Sequence, residues 1–397
     1  MRRLALIIVL GALTAFGPMS IDMYLPAFPA LTRHFHATEA QVQLTLTACL
    51  AGLALGQLLY GPVSDALGRR RPLYAGLAAY AAASALCVVA PSVTVLTGLR
   101  LVQGLGGAAG IVIARAVVRD LYSGVAAARF FSLLMLVTGL APMLAPLAGA
   151  QVLRFTSWQG VFVVLSGYGL VLLVGVALAL PETLPMERRR RGGLRHTLRT
   201  FRGLSRDRTF LGYALGGGLV FAAMFAYISG SSFVTQEIYG VSPQVFGLIF
   251  GVNALGIVLA SQVNSALLGR VAPGTLLAVA LAVHLAGGLG VLAAVASGSH
   301  RLVWLLPPLF LTVAMVGVVL PNTTALALAG HPKAAGSASA LLGLGQFVFG
   351  AAAAPLVGLG GRGTALPMGI VIASLGLAAN VVLHAVTRVP ARERVLT

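Results

Sequence analysis

The chain has 397 residues, 58% hydrophobic and 9% charged, with a formal net charge of +18 and a mean hydropathy of +0.95. A soluble domain carries roughly 25% charged residues to cover its surface, so a soluble enzyme, a disordered segment and a nucleic-acid-binding domain are all poor readings, and lipid must solvate most of this surface. The basic residues, all Arg except Lys333, punctuate apolar runs instead of forming one patch.

Twelve segments reach the roughly 20 apolar residues that a membrane helix needs: 4–27, 42–61, 73–90, 93–115, 130–152, 161–181, 210–231, 244–267, 273–296, 302–325, 335–357 and 364–387. Arg2 and Arg3 ahead of an apolar stretch imitate a signal peptide, but the apolar character continues past Ser20 to Leu31, too long for one, so a retained first span is expected. Cys49 and Cys87 both fall inside apolar runs, which argues against a disulfide framework.

The longest polar stretch, with Arg188–Arg191, Arg195, Arg199, Arg202, Arg206 and Arg208, separates six spans from six. The expected fold is all-α integral membrane: an N-terminal six-helix bundle over 1–184, a cytoplasmic basic linker over 185–209 and a C-terminal six-helix bundle over 210–397. With the N-terminus in the cytoplasm, 21 of the 27 basic residues lie on the cytoplasmic side. The positive-inside rule then puts both termini there. Ser64-Asp-Ala-Leu-Gly-Arg69 after span 2 has a counterpart in Ser265-Ala-Leu-Leu-Gly-Arg270 after span 8, with Asp65 replaced by Ala266. Two pseudo-symmetric bundles with a site between them near the midplane are the plan of a transporter.

Of the nine acidic residues only Asp22 falls within a span. A carboxylate in hydrocarbon costs roughly 2.5–3.5 kcal/mol, so it marks a function by default. Arg100, about two turns into span 4, is the matching cation. Gln57, Gln103, Asn253, Gln262, Asn264, His284, Asn322, Gln346 and Asn380 are neutral in-span polars, each more readily an interhelical hydrogen bond than a ligand contact. His284 stands alone, so no metal site is expected. No intramembrane Ser/His/Asp set, paired carboxylate or zinc motif points to an enzyme.

Three motifs resemble the major facilitator superfamily and, within it, the twelve-span drug:proton antiporters: Gly61-Pro-Val-Ser-Asp65-Ala-Leu-Gly68-Arg69-Arg70-Arg71-Pro72, Leu96-Thr-Gly-Leu-Arg100-Leu-Val-Gln103-Gly104, and Ala141-Pro142-Met-Leu-Ala-Pro146-Leu-Ala-Gly149. The last departs from the usual Gly-Pro pair by having Ala before Pro142. Ser20-Ile-Asp22-Met-Tyr24-Leu-Pro26 and Arg115-Ala-Val-Val-Arg119-Asp120-Leu-Tyr122 are similar to the Bcr/CflA subfamily, exporters of bicyclomycin and phenicols such as chloramphenicol. The resemblance implies a monomeric, multi-pass exporter in the inner membrane that exchanges a small amphipathic drug for protons, without a cofactor or nucleic acid. It implies Asp22 and Arg100 for proton coupling and a substrate cavity including Asp22, Tyr24, Gln57, Arg100 and Asn253. It further implies a cytoplasmic gate at Gly61, Asp65, Gly68, Arg69 and Arg70 and an antiporter motif at Pro142, Pro146 and Gly149. Export of an endogenous metabolite or import of a nutrient fits the same fold; a scaffold or sensor would not require Asp22 and Arg100 inside the bundle.

Overall fold

The computed structural model describes residues 2–122, 124–189, 201–299, 301–331, 335–361 and 363–387. Most of the basic linker, Lys333, Arg362 and the C-terminal arginines lie outside the described residues. The apolar runs form helices in the expected order. Span 1 is broken into Arg2–Thr14, Phe16–Asp22 and Phe28–Phe35, with a 3-10 turn at Leu25–Ala27. Spans 2 to 6 are Glu39–Leu67, Arg70–Val88, Val93–Leu121, Gly124–Phe155 and Trp158–Ala179. Span 7, Arg208–Phe233, ends in a π turn at Val234–Ile238. Spans 8 and 9 are Pro243–Leu267 and Pro273–Ala296; span 10 is divided at Met315 into Leu302–Ala314 and Val316–Ala329. Span 11, Ala335–Ala353, continues as the 3-10 segment Ala354–Gly360, and span 12 is Leu366–Thr387.

Among the described residues ten helices are long and apolar enough to cross a membrane unaided, and span 1, bent by 44°, makes eleven. Span 3 is the twelfth. Arg70, Arg71 and an Ala-rich middle dilute its apolar character, but it is wedged between spans 4 and 6. Span 6 presents Val171, Val174 and Leu178 outward, one stripe at helical spacing, as a lipid-facing surface requires.

Glycines set how closely the helices approach. A Cβ on Gly104 would run into the carbonyl of Cys49, and one on Gly52 into that of Leu101, so spans 2 and 4 pack backbone to backbone. In the second half Gly317 presses span 10 against Ile257 of span 8 in the same way. Small residues at such crossings are how membrane helices gain dispersion contacts in the absence of a hydrophobic drive.

The two halves are joined on the side of the bundle away from the N-terminus. There Ser232 Oγ donates to the Leu25 carbonyl (2.7 Å), Gln236 Nε2 to that of Pro26 (3.3 Å) and Gln43 Nε2 to that of Ser229 (3.2 Å). Thr47 Oγ1 donates to the Ala351 carbonyl (3.1 Å) and Gln244 Nε2 to that of Ala150 (2.9 Å). Phe28 packs on Phe233, and Arg33 meets Glu237 at 3.7 Å on the rim. On the N-terminal side no hydrogen bond or ion pair joins the halves among the described residues, and a Cβ on Gly61 would meet nothing within 4 Å.

Candidate functional site

Between the halves lies a cavity of about 370 Å³, walled by spans 1, 2, 4, 5, 7, 8, 10 and 11. Spans 3, 6, 9 and 12 buttress it from outside. The seal starts at Ser229, one residue beyond the lining residue Ile228, so the cavity is closed on the far side and lies open toward the N-terminal side.

Asp22 sits at the closed end, 5% exposed. It ends the short helix Phe16–Asp22 just before span 1 passes into its 3-10 turn. The helix resumes through Phe35, so Asp22 is held within the bundle and not released into the head groups. Gly149 makes this possible: a Cβ there would strike the Met23 carbonyl, so span 5 presses directly on the segment that carries Asp22. Pro142, one of two prolines inside span 5, lines the cavity; Pro146 lies one turn on, where its carbonyl faces Gly247 of span 8.

Of the expected cavity residues, Asp22 and Gln57 line the wall, while Tyr24, Arg100 and Asn253 lie behind it. Arg100 is fully buried. Its guanidinium donates to the Ser20 carbonyl (2.7 Å) and to Gln103, and lies 4.6 Å from the Tyr24 ring centre and 5.8 Å from that of Phe162. Gln103 donates onward to Ser84 (2.7 Å), and Tyr24 is bonded to Thr45 (2.9 Å). Arg100 therefore braces the backbone two residues from Asp22 and forms no ion pair with it. Asn253 donates to the Tyr227 hydroxyl (2.9 Å), and it is Tyr227, stacked on Phe250, that reaches the cavity.

Sequence reasoning passed over much of the wall. Phe221, Met224, Phe225 and Ile228 form one stripe of span 7 and face the cavity, while Gly217, Gly218, Ala222 and Ala226 take the packed face. That alternation of large and small at helical spacing is readable in the chain. Arg115, one turn from Ile111 on span 4, also lines the cavity. Among the neutral polars, Asn322 donates to Asn264 (2.7 Å), Asn380 to the Leu281 carbonyl (3.0 Å), and His284 pairs through Nδ1 with the Thr312 carbonyl (2.9 Å). Gln346 lines the cavity. Gln262 is exposed on span 8, outside the cavity lining.

The loop between spans 2 and 3 forms a charged cluster on the N-terminal side. Arg69, its side chain 5% exposed, pairs with Asp65 at 2.6 Å and Asp120 at 2.8 Å. Asp65 is 54% exposed and Asp120 only 16%, so the span 4 carboxylate is the better shielded partner. Glu182, beyond span 6, accepts from the backbone N–H of Arg69 (2.8 Å) and Arg70 (3.2 Å), capping span 3. Burial alone would raise the Glu182 carboxyl; the N–H groups of Arg69, Leu184 and Arg70, with Arg189 nearby, more than reverse this and hold it below its ordinary value. Gly68 turns the chain at φ +89°, and a Cβ there would lie 2.6 Å from Glu182. Arg70 donates to the Tyr74 hydroxyl (2.5 and 3.1 Å). Every partner in this cluster belongs to the first half.

The family model described as Major Facilitator Superfamily matches residues 10–355. The chain is 42% identical over 372 residues to the uncharacterized MFS-type transporter YdgK of Bacillus subtilis (strain 168), covering 93% of this chain and 92% of that one. It is 35% identical to the bicyclomycin resistance protein homolog of Haemophilus influenzae, covering 91% of each, and 30% identical to a chloramphenicol resistance protein of Pseudomonas aeruginosa, covering 97% and 91%. Among solved structures, an inward-facing, occupied bacterial homolog of the human lysosomal transporter Spinster superposes with a TM-score of 0.78 at 15% identity, over 98% of both chains. Twelve spans in two joined halves, a central cavity walled by both, and a sequence matched along most of its length place this chain in the Major Facilitator Superfamily.

Proposed function

We propose that this protein is a proton-coupled exporter of small amphipathic drugs across the cytoplasmic membrane, working by alternating access. The relatives named for bicyclomycin, chloramphenicol and multidrug resistance support the substrate class. The observation that carries the coupling is Asp22, a carboxylate at the closed end of an otherwise largely apolar cavity. It is the only acidic residue of the lining among the described residues, and it can hold a proton while the cavity returns without substrate and be ionised while substrate is carried outward, as an exchange of drug for proton requires. The proton is the coupling ion, and no cofactor is required.

The excess of Arg on the N-terminal side supports an orientation with both termini in the cytoplasm. In that orientation the conformation is inward-facing: the far-side seal is the periplasmic gate, closed, and the cavity is open to the cytoplasm. The Asp65–Arg69–Asp120–Glu182 cluster then lies at the cytoplasmic mouth. It fixes the ends of spans 2, 3 and 4 and the segment after span 6 as one rigid edge, against which the second half closes when the periplasmic gate opens. Arg100 keeps span 1 in place beneath Asp22. Both walls of the cavity come from one chain, so a monomer suffices.

The test is a susceptibility panel of phenicols, bicyclomycin and dyes in a host stripped of its own pumps, run with uncoupler-sensitive efflux. Resistance to at least one amphipathic drug, abolished by the uncoupler, is expected. Unchanged susceptibility across the panel with the protein in the membrane would end this reading in favour of an endogenous metabolite.

A further inference from the structure

Among the described residues the cavity holds two charged side chains, and only Asp22 has a place in the coupling scheme. The other is Arg115. It lies six residues from the end of span 4, well inside the bundle, yet its side chain is exposed because it projects into the open cavity. Among the described residues it has no hydrogen-bond or ion-pair partner. Arg100, on the same helix, differs in every respect: it is buried, and bound to Ser20, Gln103 and two aromatic rings. Arg100 is committed behind the wall, whereas the N–H donors of Arg115 have no partner among the described residues.

The packing fixes the relative depth of the two charges. Ile111 lies against Gly17, with Cδ1 3.5 Å from a Cβ placed there. From that level Asp22 is five residues toward the closed end, and Arg115 is four residues toward the open one. At about 1.5 Å per residue the two backbones are offset by roughly 13 Å along the bundle. They are therefore separate poles of one cavity, with the cation nearer the mouth. Between and around them are Phe221, Phe225, Phe347 and Met224, a wall that binds an apolar body and screens charge poorly.

We propose that Arg115 sets the charge preference of this cavity: it engages the acceptor group (carbonyl, nitro or carboxylate) of an uncharged or anionic amphipathic substrate and disfavours monovalent cations. The inference rests on Asp22 as the proton carrier. When Asp22 is ionised the two poles sum to zero; when it is protonated the cavity is left at plus one. At no stage of the cycle does the lining carry net negative charge, so a cation always enters against an unpaired guanidinium. A planar guanidinium also forms paired hydrogen bonds to carboxylate and nitro groups, for which an ammonium is a poor substitute.

The experiment uses the full chain in lipid nanodiscs, with empty discs as reference, and two probes of matched shape and opposite charge, tetraphenylborate and tetraphenylphosphonium. The wild type is expected to prefer the anion. Arg115→Gln should cut the ratio of the two affinities on the order of tenfold or more, and Arg115→Lys should retain most of it. A wild type that prefers tetraphenylphosphonium overturns the proposal without any variant. So does an Arg115→Gln protein with a normal thermal unfolding profile and an unchanged ratio. Chloramphenicol binding in the same discs separates this inference from the drug-export reading. If no variant binds chloramphenicol while the ratio still follows the charge at position 115, the export reading fails and the role of Arg115 stands.

Discussion

The turn between spans 2 and 3 and the turn between spans 8 and 9 share a backbone. Gly68 adopts φ +89° and Gly269 φ +97°, each one residue before an arginine. In the first turn that arginine is buried among Asp65, Asp120 and Ser64, and Gly68 is pressed against Glu182. In the second, Asp65 has become Ala266, Arg270 is exposed and has no ion pair among the described residues, and Gly269 has open space around it. The cavity divides in the same way. The first half supplies Asp22 and Arg115; the second supplies Phe221, Phe225, Phe250 and Phe347 and no charged group. Two halves with one architecture thus differ in what they bring to the wall, the first its charged groups and the second most of its aromatic surface, among the described residues.

The largest effect is expected where that separation is sharpest. Asp22→Asn should reduce uncoupler-sensitive drug efflux to the level of cells lacking the protein, at normal abundance in the membrane. Tyr227→Phe, which removes a hydroxyl from the opposite wall, should leave efflux proton-dependent and reduce it less than tenfold. If the two variants are equally impaired, the charge–shape division is wrong.

The paired glycines come next. Gly68→Ala and Gly269→Ala both force a Cβ into left-handed backbone, at about 1–2 kcal/mol. Only Gly68→Ala must also displace Glu182, so thermal unfolding in detergent should show it to be the more destabilised of the two. Equal melting temperatures would mean that the first turn is no more tightly built than the second.

A smaller, kinetic effect is expected from the charges themselves. Asp120→Asn should slow turnover severalfold with drug affinity unchanged, since it loosens the charged edge on the N-terminal side, far from Asp22. Arg270→Gln should leave both within twofold. A loss of equilibrium affinity in Asp120→Asn would move that cluster into the binding site.

The smallest effect concerns Glu182. Its carboxyl is held below the ordinary value of 4.5 by the backbone N–H groups around it. The unfolded chain therefore takes up this proton first as pH falls. The stabilisation is complete above pH 4.5 and disappears as pH drops through the lowered value. Glu182→Gln should flatten the acid limb of the stability profile below pH 4.5; an unchanged limb would show that the cap contributes nothing. The group is largely exposed, so the change is small.

The twelve spans were legible because the bilayer imposes a length and a composition on every one of them. The Gly68 and Gly269 turns were legible from a short repeated word. Faces were harder to read than runs. Arg100 and Asn253 are polar groups in apolar spans, as Asp22 is, and only the packing shows that Ser20 and Tyr227 satisfy them while Asp22 faces open space. The Phe221–Phe225 stripe is readable at helical spacing, but polar residues alone do not point to a wall made of phenylalanine. The break at Ala15 lies within a turn of Pro18, which has no N–H to offer the Thr14 carbonyl, so this break too was readable in the chain; for the π turn at 234–238 no local breaker stands in the sequence.

The far-side seal has a consequence for how this gate can vary. Five of its cross-half hydrogen bonds pair a side-chain donor with a main-chain carbonyl: Ser232 with Leu25, Gln236 with Pro26, Gln43 with Ser229, Thr47 with Ala351, Gln244 with Ala150. A main-chain carbonyl survives any substitution, even at a proline. Mutation can delete the donors but not the acceptors. Inheritance in this gate is therefore one-sided: whatever side chains packing allows at positions 25, 26 and 351, the acceptors persist, whereas at positions 43, 47, 232, 236 and 244 a single codon change can remove a bond of the seal.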